Sequence, residues 1–199
     1  GDECSGVVVR VGEGVTHVGV GDEVIAFMPG CLASHVTGLA TMVVRRPPSV
    51  TAEQAAGIPV VFMTAAMALE RIADLKQGQR VLIHAAAGGV GLAAVALAQS
   101  VGAEIFATAG SEEKRRFLES LGVQHVMDSR SLAFSGRILE LTGGEGVDAV
   151  LNSLAGDFIA ASLAVVRRGG HFLGGEALAA EVEPLGLDAD KTKKQAEGG

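Results

Sequence analysis

From residue 80 onward, short apolar runs alternate with longer stretches of helical periodicity. Runs of four or five residues rich in Val, Ile, Leu and Phe are typical of buried strands. They predict strands at 81–85, 105–109, 124–127 and 147–151, and a fifth that begins at 170–173. Strands that alternate with helices pair in parallel through right-handed crossovers. The pattern therefore predicts an α/β fold with a Rossmann-like, doubly wound parallel sheet.

A helix is predicted after each of the first four strands. The first runs from about 90 to 101. Ser111 is placed to cap a second, strongly charged helix that stops at Gly122. The remaining two are predicted around 136–141 and 158–166.

The N-terminal part of the chain is patterned differently, as short strands separated by glycine turns. An apolar run at 7–11 leads to a turn at 13–14, and the glycines of 19–22 precede a second run at 24–27. Apolar runs bounded by glycine turns at this spacing predict β-hairpins or a small barrel.

These patterns divide the chain into three regions. Residues 1–46 form the β-rich region, and 47–174 form the α/β region with its connecting helices. In the connecting segment, Thr51 and Gln54 have the spacing of a capping box at a helix start. Residues 175–199 are rich in Ala, Glu, Asp and Lys and lose the alternation. We expect them to form a marginal helix or a disordered tail.

Composition and charge exclude several classes of protein. The chain has 199 residues, of which 48% are apolar and 20% charged, a balance typical of a globular domain. A net charge of −7 argues against a nucleic-acid surface and against a polybasic membrane patch. The first residues include no basic and apolar leader, so no signal peptide is predicted.

Two cysteines, Cys4 and Cys31, are too few for a disulfide framework or a four-thiolate zinc site. Free thiols in a cytosolic protein are the favoured interpretation. The uncharged stretch 81–103 is long enough to span a bilayer. Because His84 and the glycines of 88–91 interrupt it, a buried strand, turn and helix in series is the better interpretation.

The most informative segment is the glycine turn, residues 86–91 (AAGGVG), between a predicted strand and a predicted helix. It has the spacing of the G-x-G-x-x-G dinucleotide motif, with Ala86 in the first glycine position. In this motif Gly88 lets the backbone approach a pyrophosphate, and Gly91 lets the helix pack close to the strand. Free N–H groups at the helix start bind the phosphate charge. A tight turn without a ligand is the alternative, and the five-strand context favours binding.

The end of the second strand indicates which dinucleotide would bind. An NAD enzyme usually has an acidic residue there for the ribose 2′-hydroxyl, but residues 108–111 (TAGS) include none. Lys114 and Arg115 follow one turn into the helix and can meet a 2′-phosphate. The acids at 112–113 weaken this argument unless they face solvent and pair with Arg115 or Arg116. We therefore expect NADPH.

Three runs resemble the enoyl reductase domains of modular polyketide synthases, which belong to the medium-chain dehydrogenase/reductase superfamily. These runs are 82–91 (LIHAAAGGVG), 150–156 (VLNSLAG) and 169–172 (GGHF). Residues 60–65 are similar to the family's segment that lines the nicotinamide side. The resemblance covers about residues 1–173.

The resemblance implies a GroES-like barrel lobe beside the dinucleotide-binding fold, with the active site in the cleft. Residues 1–46 match only the latter part of that barrel, so the family's barrel is expected to begin upstream of Gly1. Zinc-dependent members have Gly-His-Glu near this start and a four-cysteine lobe. Gly1-Asp2-Glu3 has no histidine and no cysteine cluster follows it, so a zinc-independent member is expected.

The resemblance also implies a set of cofactor-binding residues. The pyrophosphate would lie on Ala87, Gly88, Gly89, Val90 and Gly91. The 2′-phosphate would lie on Ser111, Lys114 and Arg115, and the nicotinamide half near Thr64, Asn152 and Leu154.

The implied reaction is reduction of an α,β-unsaturated acyl thioester by NADPH. Hydride goes to the β-carbon, nearby donors stabilise the enolate, and the α-carbon is protonated. The implied partners are an acyl carrier protein that carries the enoyl thioester and the neighbouring synthase domains, with no nucleic acid and no membrane.

The proton donor is not identified by the sequence. Family members commonly have a lysine a few residues after the Gly-Gly-x-Phe strand, but here the next lysine is Lys191. His84 could be proposed as an acid, although a hydrogen-bonded core histidine is favoured for a strand end. His35 has no motif to support it.

Two other functions stay open. A free-standing, zinc-independent quinone or enone reductase would use the same cofactor site with a small diffusible acceptor. A domain that binds NADPH but is catalytically silent would serve as a scaffold. The absent barrel strands and the absent lysine are the reasons to keep the second alternative.

Overall fold

The computed structural model describes residues 1–174 and the strand Ala177–Glu181. The chain divides into two compact units, Gly1–Thr64 and Ala65–Gly199. The boundaries predicted from the sequence, after residues 46 and 174, stay a prediction.

Unit 1 contains a small antiparallel sheet followed by helices. Its strands pair in the order β1-β2-β3. They are β1 (Glu3–Val7), β2 (Glu23–Phe27) and β3 (Val43–Arg45), with a 3₁₀ turn at Ala40–Met42, helix α1 (Ala52–Ala55) and helix α2 (Pro59–Ala66), which runs past the unit boundary. The antiparallel strands predicted for this region are thereby confirmed.

The first strand begins earlier than the apolar run at 7–11 predicts. Val7 pairs with Glu23, the first residue of β2, and Gly21 turns the chain with a φ of +93°. The N–H and the carbonyl of Val8 still bond to Asp22 and Gly21, but Val9, the next residue, is 65% exposed. The predicted strand at 7–11 is therefore wrong, and Glu3–Val7 takes its place.

Side chains cap both helices of unit 1. Thr51 Oγ1 accepts the N–H of Gln54 at 3.2 Å, and Gln54 Oε1 accepts the N–H of Thr51 at 3.0 Å. The predicted capping box is therefore confirmed. The carboxylate of Glu3, on β1, accepts the N–H of Val60 at 2.8 Å. An acid at this helix end is favoured by the helix dipole, and the bond fixes α2 against the sheet.

Unit 2 is a doubly wound α/β sheet, as the alternation predicts. The strand order is β6-β5-β4-β7-β8-β9, with five parallel strands and an antiparallel last one. Its strands are β4 (Arg80–Ile83), β5 (Glu104–Ala109), β6 (His125–Asp128), β7 (Val147–Asn152), β8 (Val166–Gly174) and β9 (Ala177–Glu181). Its helices are α3 (Gly89–Val101), α4 (Glu112–Ser120), α5 (Ala133–Leu141) and α6 (Asp157–Leu163), after a π-helical segment at Met67–Ile72.

The order of the strands places a crevice at the carboxyl end of β4. From β4 the chain moves to β5 and β6 on one side, and then returns to β7 and β8 on the other. The connections diverge at this point, and such a switch point is where open parallel sheets bind ligands.

Apolar side chains on one face of the sheet pack against α5 in the core of unit 2. Leu82, Phe106, Ile138 and Val150 are fully buried in one cluster. Burial of side chains of this size stabilises a fold by about 1.5–3 kcal/mol each. This cluster fixes β4, β5 and β7 against one another and against α5.

Three elements of unit 2 differ from their predicted bounds by three residues or more. Helix α5 begins at Ala133, three residues before the predicted start. Helix α6 ends at Leu163, and β8 begins at Val166, which the sequence pattern had assigned to the helix. The reason is the sheet: the N–H of Val147 donates to the carbonyl of Val165 at 2.8 Å, which draws this segment into the ladder.

Part of the predicted C-terminal tail forms a strand. β9 pairs antiparallel with β8, with Phe172 opposite Ala180. The expectation of a helix or disorder is therefore wrong for Ala177–Glu181, because an open strand edge supplies hydrogen-bond partners whatever the local propensity. Residues 175–176 and 182–199 lie outside the described residues.

At the amino ends of the strands, polar side chains from three strands form a network. Arg80 Nε lies 3.1 Å from Glu104, and its Nη1 lies 2.8 Å from Glu145. His125 Nε2 lies 2.8 Å from the other oxygen of Glu104. This network is at the opposite end of the strands from the glycine turn.

Among the described residues, no helix has both the length and the apolar character needed to cross a membrane. The uncharged stretch 81–103 instead contains β4, the glycine turn and α3, as predicted.

Candidate functional site

The glycine turn joins β4 to α3 in a tight, hydrogen-bonded form. Ala85, which precedes it, has a φ of +47°, a left-handed conformation that is uncommon for a residue with a side chain. Its carbonyl accepts the N–H of Gly88 at 2.8 Å. The N–H of Ala86 donates to the carbonyl of Thr108 at 3.0 Å, which ties the turn to β5.

Two positions of the turn approach the backbone that precedes the helix. A Cβ on Gly91 would lie 2.5 Å from the carbonyl oxygen of Ala85 and 2.6 Å from the Cα of Ala86, distances that exclude any side chain. A Cβ on Gly88 would lie 3.2 Å from the same oxygen. The absence of a side chain at Gly91 therefore lets the first turn of α3 pack directly on the turn.

The start of α3 offers free N–H groups at an exposed surface. Gly88 is its N-cap and supplies no side-chain acceptor. The N–H groups of a helix's first turn have no acceptor within the helix, and they carry the positive end of its dipole. Gly88 and Gly89 are exposed, and Ala87 and Val90 are half-buried. This end of the helix can bind an anion.

Helix α4, which follows β5, is capped by its own side chain. Ser111 Oγ accepts the N–H of Lys114 at 3.3 Å, as the sequence predicts. The hydroxyl still has a proton to donate. The side chain of Lys114 is exposed, and it forms no salt bridge within the described part of the chain.

The two arginines of α4 have acidic partners. Arg116 forms an ion pair with Glu112 one turn away, which confirms one of the pairings expected from the helical spacing. Arg115 Nη1 donates to the carbonyl of Ala109 at 3.2 Å and lies 3.6 Å from a carboxylate oxygen of Asp128. Arg115 therefore lies at the end of β5 with part of its charge already balanced.

The sequence interpretation missed Arg130. Its Nε lies 3.5 Å from the position of a Cβ on Gly110, so the guanidinium lies against the residue that follows β5. Its own N–H donates to Asp128 at 2.9 Å, which fixes the bend after β6. Because Ala109 pairs with Asp128, the residues that follow β5 and β6 are adjacent. Recognising that β5 and β6 are neighbours would have pointed to this residue.

Asn152 shapes the loop after β7. Its Nδ2 donates to the carbonyl of Leu154 at 2.9 Å, and its Oδ1 accepts the N–H of the same residue at 3.2 Å. Asn152 is 9% exposed, and Leu154 is half-buried. A Cβ on Gly174 would lie 2.5 Å from the carbonyl oxygen of Asn152, so β8 also approaches this point closely.

Thr64 lies in unit 1, on α2. Its hydroxyl donates to the carbonyl of Val60 at 2.7 Å, one turn earlier, which leaves lone pairs on its oxygen. The side chain is half-buried.

His84 is a core residue. It is 2% exposed, and both of its ring nitrogens have hydrogen-bond partners. Burial lowers its pKa to about 4, so it is neutral at physiological pH. The sequence interpretation favoured this role over that of an acid. His35 is exposed, with Nδ1 3.4 Å from the hydroxyl of its neighbour Ser34.

The expected position of the family's lysine, just after β8, falls on residues 175–176, and Lys191 lies in 182–199. Both stretches are outside the described residues. Within the described ranges, His, Cys, Asp and Glu side chains form no group of three or more that could hold a metal ion.

Comparison with known proteins decides the family. A model of the zinc-binding dehydrogenase family matches residues 89–185. One polypeptide of the phenolphthiocerol/phthiocerol polyketide synthase of Mycobacterium tuberculosis is 47% identical over 173 residues, which make up 87% of this chain and 8% of that protein.

Solved structures agree with this match. The nucleotide-binding subdomain of the enoylreductase domain of PpsC from Mycobacterium tuberculosis is 50% identical, with a TM-score of 0.58, and the match covers 65% of this chain and 73% of that one. The CurK enoyl reductase is 45% identical with a TM-score of 0.84, over 97% of this chain and 56% of that one. The chain belongs to the family of polyketide synthase enoyl reductase domains.

These domains are members of the medium-chain dehydrogenase/reductase superfamily, as the resemblance of the three sequence runs implies. The chain spans 8% of the length of the mycobacterial synthase polypeptide and about half of the CurK enoyl reductase. A mycobacterial protein described as Rv1454c complexed with NADPH is 33% identical with a TM-score of 0.81, over 98% of this chain and 61% of that one. Membership in this family supports an enoyl reductase role and a nicotinamide cofactor.

Proposed function

We propose that this chain carries the NADPH site of an enoyl reductase that reduces an α,β-unsaturated acyl thioester on an acyl carrier protein. The observation that carries the proposal is the exposed start of α3, which has no side chain at its cap, beside a β5 end that bears no acid. The first feature suits a diphosphate, and the second suits a phosphorylated ribose.

The pyrophosphate would be held by Ala87, Gly88, Gly89, Val90 and Gly91. Their side chains are small or absent, and the exposure of Gly88 and Gly89 leaves room for a ligand to approach the backbone. The first-turn N–H groups of α3 have no partner within the helix. A diphosphate would satisfy these donors and would be stabilised by the helix dipole. The residues present therefore fit the group.

The 2′-phosphate would be held by Ser111, Lys114 and Arg115, with Arg130 as a further cation. Ser111 can donate its hydroxyl proton, and Lys114 is exposed without an ion pair among the described residues. Arg130 lies against Gly110, at the end of β5 where the ribose is expected. Asp128 lies opposite Ala109 at the end of β5, and Arg115, 3.6 Å from its carboxylate, compensates its charge.

The nicotinamide half would lie near Thr64, Asn152 and Leu154. The two hydrogen bonds between Asn152 and Leu154 give the loop after β7 one fixed shape, which suits it to support a planar ring. The assignment of Thr64 to this half rests on the sequence resemblance of residues 60–65.

When bound, NADPH supplies the hydride that adds to the β-carbon of the enoyl group. The residues of the glycine turn would bind the pyrophosphate and so orient the cofactor. Those around Ser111 would select NADPH over NADH by binding its 2′-phosphate. The proton for the α-carbon comes from a group that the described residues do not identify.

The family supports the remaining partners. The relatives are components of polyketide synthases, in which an acyl chain is carried on an acyl carrier protein, so we propose that protein and the neighbouring synthase domains as partners. The NADPH complex of the mycobacterial relative supports the choice of cofactor.

The first experiment compares the affinities for NADPH and NADH by fluorescence titration. We expect NADPH to bind at least about tenfold more tightly, because cations face the 2′-phosphate. Lys114→Ala or Arg130→Ala should reduce the ratio of the affinities for NADPH and NADH. Arg137→Ala is the control, since Arg137 pairs with Glu140 on α5. Equal affinity for the two cofactors in the unmodified chain would contradict the assignment.

The second experiment identifies the acceptor. NADPH oxidation is followed with a crotonyl thioester on a carrier protein and, separately, with a quinone. Turnover of the thioester alone supports the proposed reaction, and turnover of the quinone alone supports the free-standing reductase. If NADPH binds but neither acceptor oxidises it, the result supports the catalytically silent scaffold.

A further inference from the structure

A buried imidazole joins three elements beside the glycine turn. His84 directly follows β4, and its Nδ1 lies 2.8 Å from Oγ1 of Thr108 on β5. Its Nε2 lies 2.8 Å from Oγ of Ser162 on α6. Thr108 and Ser162 are both fully buried. The proposed reaction gives this cluster no role.

The hydrogen-bond partners determine where the protons lie. Ser162 Oγ is 2.6 Å from the carbonyl oxygen of Phe158, which can only accept, so the serine donates its proton there. Its oxygen must then accept from Nε2–H of His84. The second nitrogen, Nδ1, is left with a lone pair and accepts the hydroxyl proton of Thr108. The network assigns a neutral imidazole with its proton on Nε2.

The same residues hold the backbone of the turn. The carbonyl of Thr108 accepts the N–H of Ala86 at 3.0 Å, and the N–H of His84 donates to the carbonyl of Leu151 on β7 at 3.0 Å. Thr108 therefore holds the imidazole with its side chain and the glycine turn with its main chain. On the other side, Ser162 lies in the helix that follows the Asn152 loop.

The surroundings favour the neutral ring. Phe134 on α5 packs edge-on against it, with ring centroids 5.0 Å apart and an interplanar angle of 82°. The described partners of His84 on β5, β7, α5 and α6 are hydroxyl, carbonyl and phenyl groups, and none of them is charged. Asp157, the acid in the first turn of α6, is exposed.

We infer that His84 is a positioning residue for the nucleotide: in its neutral, Nε2-protonated form it holds the glycine turn in the shape that receives the pyrophosphate. The inference rests on the proposed function, since it concerns how that site is held. A doubly protonated ring would donate from both nitrogens, so the Thr108 hydroxyl would have to accept from Nδ1 and could no longer donate its own proton to the ring.

The first test removes one hydroxyl and measures NADP⁺ affinity by calorimetry in the 199-residue chain. Thr108→Val removes the partner of Nδ1. Thr142→Val is the matched control, because Thr142 is also a buried threonine with bonds to Ile138 and Gly146, in the loop before β7. We expect Thr108→Val to weaken binding about tenfold and Thr142→Val to change it less than about twofold. Ser162→Ala should weaken binding in the same direction as Thr108→Val.

The second test determines the tautomer of His84 by NMR, first in the unmodified chain. In a ¹⁵N–¹H correlation spectrum of the uniformly labelled chain, His84 should show the pattern of a neutral ring with its proton on Nε2. Thr108→Val should shift the Nδ1 resonance of this ring, and Thr142→Val should not. This spectrum tests the network even if a variant folds poorly.

The outcomes separate this inference from the proposed function. If the unmodified chain does not bind NADP⁺, the proposed function is wrong. If it binds but Thr108→Val binds within about twofold of it, the proposed site stands and the positioning role is overturned. A proton on Nδ1, or on both nitrogens at pH 7, also overturns it.

Discussion

The carbonyl oxygen of Ala85 lies only 2.5 Å from the position that a Cβ on Gly91 would occupy. Real side chains do not tolerate this distance, so α3 can start where it does only because residue 91 has no side chain. Ala85 itself holds a φ of +47°, which presents that oxygen to the helix start. These two residues define the close approach of the helix to the strand on which the proposed pyrophosphate site depends.

Gly91→Ala should therefore displace the start of α3 and abolish nucleotide binding. We expect the free energy of unfolding to fall by about 1–3 kcal/mol, the usual result of overpacking. Urea unfolding and NADP⁺ titration measure the two effects. Gly136→Ala on α5 is the control, because a Cβ there meets nothing within 4 Å and should stabilise the helix by about 0.5–1 kcal/mol. Unchanged binding in Gly91→Ala would show that the close approach is not needed.

His84 should make the stability of the fold depend on pH. Burial lowers its pKa to about 4 in the folded state, below its value of 6.5 when exposed. The unfolded chain therefore takes up the proton first on acidification, so this contribution is complete above pH 6.5 and is lost as the pH falls toward 4. Between pH 7.5 and 5 the loss is about 2 kcal/mol.

The measurement is urea unfolding of the unmodified chain and of His84→Gln at both pH values. The variant starts from a lower stability but lacks this group's titration, so it should lose about 2 kcal/mol less on acidification. Equal losses in the two proteins would mean that His84 is not desolvated in the fold.

Glu104 should stabilise the amino edge of the sheet in its charged form. Burial raises its pKa, but the hydrogen bonds and charges of His125 and Arg80 outweigh this effect and hold the pKa below its usual value. The stabilisation is present above the ordinary pKa of a glutamate and is lost as the pH falls through the lower value of the folded state. Because the side chain is 38% exposed, Glu104→Gln should cost no more than about 1 kcal/mol at pH 7.

At pH 3 the same substitution should cost less, since the carboxyl group is then largely protonated in both states. Glu140→Gln on α5 is the control, because Glu140 makes a single exposed pair with Arg137. A penalty for Glu104→Gln that stays constant from pH 7 to pH 3 would contradict the ionic origin.

The thiol of Cys4 should react slowly with alkylating agents. Burial and, next, its hydrogen bond with Cys31 raise the pKa of Cys4 to about 11. At pH 8 its thiolate fraction is then about 100-fold below that of a thiol with a pKa of 9. Iodoacetamide labelling followed by mass spectrometry gives the rate. Cys31→Ala should raise the rate at Cys4, and an unchanged rate would show that the two thiols do not interact.

Asn152→Asp should destabilise the loop after β7, although the new side chain has the same size and shape as the old one. The carboxylate can still accept the N–H of Leu154, but its second oxygen faces a carbonyl in place of the amide donor. We expect a loss of about 1–3 kcal/mol in the free energy of unfolding at pH 7, the usual result of leaving a buried polar group without its partner. Thermal unfolding at pH 7 measures it, and a midpoint equal to that of the unmodified chain would contradict the role of the Nδ2 bond.

Much of the site could be predicted because its signals are local. The glycine turn, the cap at Ser111 and the absence of an acid at the end of β5 each depend on neighbours within four or five residues. The same holds for the capping box of Thr51. Spacing alone reports such features, because turn and helix geometry fixes which residues meet.

Other features escaped prediction because they depend on pairing between distant segments. Arg130 reaches Gly110 only because β5 and β6 are adjacent, and the strand Ala177–Glu181 exists because β8 has an open edge. The first strand of unit 1 was placed too late because its bounds are set by its pairing with β2, in which Glu3 lies opposite Phe27 and Val7 opposite Glu23.

The sequence by itself determined the parallel α/β fold of unit 2, the position of the glycine turn and its family. The tertiary structure decided that His84 meets Thr108 and Ser162 and that Asp128 balances Arg115. The alternation of apolar runs involves residues that are close in sequence, so it can be read directly from the chain. The contacts depend on the order of strands in the sheet and on the packing of helices across it.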